Sequence, residues 1–113
     1  SACATPAVPR NGGWAALGET ARVGRLTLTP VEIDEDSRCP EGVQCAWAGR
    51  VVVRTRIAGG ESRDAELVLG EEIRVDDGLL ELDRVEPPAV EGVEIAAEDY
   101  RFHYRYAPMI MER

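Results

Sequence analysis

A few side chains in this chain have the types and spacing to do chemistry. Cys39 and Cys45 stand with five residues between them, around Pro40-Glu41-Gly42. An acidic run, Asp34-Glu35-Asp36, lies just ahead of them. His103 is the single histidine, and Ser37 and Ser62 are the serines of the loops. For the cysteines the options are a disulfide, a metal pair and two buried thiols. Zinc needs about four ligands, and the rest of the chain adds one histidine and one cysteine, Cys3. A disulfide needs Cα atoms about 5.5 Å apart. Pro40 presets φ and Gly42 accepts φ > 0, so the intervening chain turns back readily. The disulfide is the expectation, and it implies an oxidising compartment. Closing so small a ring stabilises the fold by roughly 2–2.5 kcal/mol on the chain-entropy model.

The acidic run could bind a cation. Calcium takes about six to eight oxygens, often from carboxylates of a loop. Asp34 and Asp36 alternate and could face one way, sharing Ca2+ with Glu41. The D-x-[DN]-x-[DN]-G arrangement of an EF-hand is absent. The competing reading is a solvated loop in which Asp36 caps backbone N–H groups or pairs with Arg38. His103 with Met109 and Met111 has the ligand types for copper(I), but a frayed terminal strand accounts for the methionines more simply. His103 could act as a general base, yet it lies between Arg101 and Arg105 on what reads as a solvated face. Ser37 and Ser62 sit in no nucleophile motif, and nothing in the spacing builds a Ser-His-acid triad. Carboxylates are too abundant to single out an acid–base pair. The expectation is a non-enzyme without a resident cofactor.

The elements that must position these residues read as strands. Leu26, Leu28, Val31 and Ile33 define one, with a slip of phase near Pro30 that signals a bulge. Val51, Val53, Thr55 and Ile57 face one way, and Val52, Arg54 and Arg56 the other. Gly59-Gly60 ends that strand. Leu67 and Leu69 mark the next, Ile73 and Val75 another. Asp76-Asp77-Gly78 reads as a hairpin turn. Leu80 and Leu82 run toward Val85, and Pro87-Pro88 stops the strand. Tyr100, Phe102, Tyr104 and Tyr106 alternate with Arg101, His103 and Arg105 in the last. The stretch Ile95 to Asp99 reads as a turn or 3₁₀ piece. About six to eight short strands at this spacing predict an all-β fold, an antiparallel β-sandwich, with a small closed β-barrel as the alternative. Trp47 is expected to pack into the core and pin the cysteine loop to the sheet. Residues 1–12 read as a flexible tether and 13–113 as one β-domain, near the common domain size.

The 113 residues carry a formal charge of −8 and contain no lysine. All-arginine usage reads as codon bias of a GC-rich genome. The negative charge argues against nucleic acid and anionic lipid as partners, since both need a basic face. Ser1-Ala2-Cys3 resembles the end of a bacterial lipobox, in which small residues precede a lipidated cysteine. Cys3 is therefore expected to carry a lipid anchor, with the small, proline-containing segment after it as a spacer.

A wider resemblance rests on Gly18-Glu19-Thr20, Leu26-Thr27-Leu28-Thr29, Asp36-Ser37-Arg38-Cys39-Pro40, and Cys45, Trp47 and Gly49 before a Val-rich strand. From about Glu19 to Tyr106 the chain resembles a group of small bacterial secreted proteins and lipoproteins with a D-S-R-C-P…C-x-W-x-G signature. The resemblance implies a cell-envelope location, periplasm-facing or secreted, and an architecture rather than an activity. Two functions are expected. The first is a non-catalytic envelope domain that contacts a protein or polymer through Ser37, Arg38, Glu41, Gly42, Val43 and Gln44. The second is an ion- or ligand-binding accessory module built on Asp34 and Asp36.

Overall fold

Alternation of apolar and charged residues dictates strands that bury one face, and the described residues fold as eight of them. A computed structural model describes residues 12–60 and 62–108. In chain order the strands are β1 (Gly12–Ala15), β2 (Ala21–Val23), β3 (Leu26–Asp36), β4 (Val51–Ala58), β5 (Arg63–Val68), β6 (Glu72–Val75), β7 (Gly78–Glu86) and β8 (Arg101–Pro108). A 3₁₀ turn at Ala97–Asp99 precedes β8, within the stretch expected to hold one. β1 begins at Gly12, where the tether was expected to end.

The strands form two four-stranded antiparallel sheets, ordered β1-β8-β7-β6 and β2-β3-β4-β5. They do not close into a barrel, so the molecule is a β-sandwich rather than the alternative. The second sheet is a plain meander. The first is a β6-β7-β8 meander onto which the opening strand β1 adds by pairing with β8.

The inner faces follow the sequence pattern. Val51, Val53, Thr55 and Ile57 of β4 are fully buried, as are Leu26 and Leu28 of β3. Phe102, Tyr104 and Tyr106 line the inner face of β8, and Tyr100, just ahead of the strand, is buried with them. The Tyr100 and Phe102 rings stack, with centroids 5.7 Å apart. The hydroxyls of Thr55 and Tyr104 meet across the two sheets at 2.9 Å. Tyr106 donates to the carbonyl of Val75 at 2.9 Å. Each buried hydroxyl thus has a partner, without which its burial would be costly.

The expected bulge is present, since the β3–β4 register shifts between Pro30 and Glu32. It places Val31 in solvent, a correction to the reading that grouped Val31 with Leu26, Leu28 and Ile33. The unpaired residue of the bulge is turned off the inner face. A second shift falls between Ile33 and Glu35, and a third, in β7, between Leu82 and Arg84. The β6–β7 hairpin turns on Asp76-Asp77, with Asp76 at φ +54°. Gly78 belongs to β7, and it must be glycine for another reason. A Cβ there would lie 2.5 Å from the Tyr106 ring.

Phe102 is completely buried in the middle of this core. Phe102→Ala is expected to cost about 3–5 kcal/mol in urea unfolding. A loss under about 1 kcal/mol would place the side chain outside the core.

Candidate site at the disulfide end of the sandwich

Asp36, the last residue of β3, pairs with Val51, the first of β4. The chain between them therefore leaves the sheet as a loop at one end of the sandwich. Its neck is closed by hydrogen bonds. Ser37 N–H donates to the Arg50 carbonyl at 2.8 Å, and Arg50 N–H donates to Ser37 Oγ at 3.1 Å. Ser37 Oγ donates to Glu35 Oε2 at 2.8 Å, and Arg50 Nε to Glu35 Oε1 at 2.9 Å. The Ser37 hydroxyl, and then Arg50, hold the Glu35 carboxyl below its usual range. Gly49 lies so close to this neck that a Cβ would fall inside the Ser37 carbonyl. Ser37 and Gly49 are thus fixed by local geometry.

Above the neck, one ion pair ties the loop to both sheets. Arg38 donates to Asp36 through Nε and Nη2, each at 2.9 Å, a forked pair. Its Nη1 donates to the Pro87 carbonyl at 3.1 Å. Tyr100 Oη donates to Asp36 Oδ2 at 2.5 Å. Asp36 and Arg38 belong to the β2–β5 sheet and its loop; Pro87 directly follows β7 and Tyr100 directly precedes β8, at the end of the other sheet. Burial pushes the Asp36 carboxyl up, but bonds from Arg38 and Tyr100 outweigh it and leave the group below the ordinary aspartate range. Burial and the bond to Asp36 push the Tyr100 hydroxyl up to about 12.

Cys39 and Cys45 form the disulfide, with Cα atoms 6.0 Å apart. The ring they close is folded by a turn in which Val43 N–H donates to the Pro40 carbonyl at 3.2 Å. Glu41 N–H donates to the Ala89 carbonyl at 3.3 Å and joins the ring to the segment after β7. The residues expected to form an interaction surface divide accordingly. Ser37 and Arg38 hold the loop. Glu41, Gly42 and Gln44 are exposed, and Val43 is half-buried. The Arg38 fork, expected to take a partner's carboxylate, is occupied by Asp36.

Trp47 requires a correction. It is 72% exposed, rather than packed in the core. Residues 46–49 lie beyond the end of β4, where neither inner face is within reach, and the neck is closed without the indole. Trp47 makes no hydrogen bond or ring contact among the described residues.

Among the described residues, the acids of the Asp34–Asp36 run have separate partners. Asp34 occupies the second bulge of β3, so Asp34 and Asp36 no longer alternate regularly. Asp34 instead lies against Glu66, where its hydrogen bond and charge raise the Glu66 carboxyl above its usual range. Both oxygens of Asp36 accept bonds from Arg38 and Tyr100. Among the described residues, no three His, Cys, Asp or Glu side chains converge on one point.

His103 is not freely solvated. Its Nδ1 donates to Asp83 Oδ1 at 2.6 Å, and its ring lies 4.9 Å from that of Trp14. Asp83 is the extra residue of the β7 bulge. A bulge re-aims a side chain, and no periodicity in the sequence announces which residue it turns. No serine or threonine hydrogen-bonds to His103 among the described residues. Met109, Met111 and Cys3 lie outside the described residues, and with them the copper and lipid-anchor expectations.

No protein-family model, curated protein or solved structure matches the chain. Function therefore has to be argued from the site.

The Asp36 pair has a signature in pH. The folded-state pKa is depressed below 3.8. Its contribution is fully present above the unfolded value and is lost as pH falls through the folded one. Asp36→Asn is expected to cost about 1–2 kcal/mol at neutral pH, allowing for solvent screening. It should also flatten the fall of stability in acid. An acid limb equally steep in both proteins, followed by urea midpoints across pH, would remove Asp36 from that role.

Proposed function

We propose that this is a non-catalytic domain of the bacterial cell envelope that binds a macromolecular partner through its disulfide end. One observation supports the reading above the others. In the segment Asp36 to Gly49, the fixed residues have structural work: Asp36 and Arg38 in the ion pair, Ser37 and Gly49 at the neck, Cys39 and Cys45 in the crosslink. Trp47 has none. A tryptophan offers a large apolar surface and one N–H donor, and it is enriched among residues that dominate binding energy. Here it stands on a loop held by a crosslink and by the Arg38 knot. A loop already ordered loses little entropy when it is bound. The disulfide and the lipobox-like Ser1-Ala2-Cys3 support an envelope location, with Cys3 as the lipid anchor.

Two experiments test this. A photo-crosslinking residue at Gln44 should give discrete adducts in envelope preparations. These should disappear with Trp47→Ala, and the same probe at Arg56, on the opposite strand face, should give none. Trp47→Ala should leave stability within about 0.5 kcal/mol of the parent. Adducts that survive Trp47→Ala, or a large loss of stability, would return Trp47 to a structural role. For the anchor, Cys3→Ser in the full-length precursor should move the protein from the membrane fraction to the soluble one. Parent protein already wholly soluble would end the lipoprotein reading.

A further inference from the structure

The disulfide end presents the same short motif twice. Pro40-Glu41-Gly42-Val43 and Val90-Glu91-Gly92-Val93 each contain Glu-Gly-Val. In both, the N–H of the valine donates to the first residue's carbonyl, at 3.2 and 3.1 Å. In both, the glycine has positive φ, +81° and +78°, the backbone of a type II turn. A Cβ on either glycine would meet nothing within 4 Å, so each glycine serves the turn and not a close contact. The Glu41 to Ala89 backbone bond brings the two loops together.

The two joined loops carry both exposed apolar and exposed acidic side chains. Trp47 is 72% exposed, Val93 60% and Val90 50%. Glu41, Glu91 and Glu94 are exposed and make no side-chain hydrogen bond or ion pair among the described residues. Glu32, Asp64, Asp77 and Glu81 on the sheets, and Glu35 and Asp36 at the base of the loop, each pair with an arginine. Near this end, Arg101 directs its Nη1 to the carbonyls of Glu98 and Tyr100. Carboxylates without a side-chain partner and uncovered apolar side chains are thus carried by the same two loops, which the Glu41–Ala89 bond joins.

We infer that the twin Glu-Gly-Val turns and Trp47 form a docking surface for a cationic polypeptide segment, one with Lys or Arg flanking an apolar side chain. The inference rests on the binding role proposed above and adds the chemistry of the partner. Glu41 and Glu91 supply two carboxylates on rigid turns, and Trp47, Val90 and Val93 supply the apolar contact between or beside them. Opposite charge steers such a segment to the surface and fixes its register. A second copy of this chain would set the same carboxylates against each other, and the net charge of −8 opposes it further. Anionic polymers and membranes meet the same repulsion.

A random-peptide display library panned on the folded domain tests this directly. The enriched peptides are expected to pair Lys or Arg with an aromatic or aliphatic residue. Their affinity should fall about three- to tenfold in Glu41→Gln/Glu91→Gln, and fall with added salt, as exposed ion pairs do. It should be lost in Trp47→Ala, with melting temperature confirming that each variant folds. Neutral or acidic peptides that require Trp47 would overturn the cationic partner and leave the binding surface standing. Absence of any Trp47-dependent peptide would overturn both. Self-association abolished by Trp47→Ala, followed by sedimentation, would make the occupant a second copy and overturn the inference.

Discussion

The inner face of β8 is the constraint on which the sandwich depends. The chain has three tyrosines and one phenylalanine; Phe102, Tyr104 and Tyr106 stand on that face, and Tyr100 is buried just ahead of the strand. The rest of the core is made of Val, Leu, Ile and Ala. The two sheets are therefore held at their spacing largely by the bulk of one strand. The tyrosine hydroxyls extend this grip. Tyr104 reaches Thr55 in the opposite sheet, Tyr106 caps the Val75 carbonyl at the β6 edge, and Tyr100 reaches Asp36 at the end of β3. Burial raises the Tyr104 hydroxyl strongly, an effect that Thr55 only partly offsets, so it stays protonated in place.

Tyr100 connects the core to the site. Its hydroxyl and the Arg38 fork share one carboxylate, that of Asp36, and Arg38 also reaches Pro87. The carboxylate is half-withdrawn from water, so its bonds are stronger than those of an exposed pair. This fixes where the chain leaves β3, and with it the direction of the disulfide loop. The disulfide shortens the loop and the Ser37–Arg50 neck closes its base. What remains outside these restraints is a display of exposed side chains on a rigid mount, the arrangement that lowers the entropy lost in recognition.

The outer sheet faces follow a different rule. Cross-strand pairs such as Arg56–Asp64 and Arg105–Glu81 are exposed, and each contributes little to stability. They neutralise charge locally and keep both faces polar. The His103–Asp83 pair with Trp14 is the most enclosed of these surface groups. Its geometry comes from a β-bulge rather than from regular alternation.

The short strands β1 and β2 carried no legible signal, but the other six strands, their buried faces, the bulge near Pro30, the disulfide and the aromatic face of β8 could be read from the sequence. These follow from period-two alternation, turn residues and ring closure, all of which act over a few neighbours. The sequence left the environment of single residues undetermined. Val31, Trp47 and His103 each have a type that fits two surroundings. Which one applies depends on bulges and on segments far away in the chain. Asp36 and Tyr100 are 64 residues apart, and Asp83 and His103 are 20 apart. Neither pairing has a local signal. Asp34 and Asp36 alternate in the sequence, but tertiary packing gave Asp36 to Arg38 and Tyr100 and set Asp34 beside Glu66. The two Glu-Gly-Val turns are visible as letters, but their nearness is a product of the fold, because the loops at one end of a sandwich are brought together by strand length and register alone.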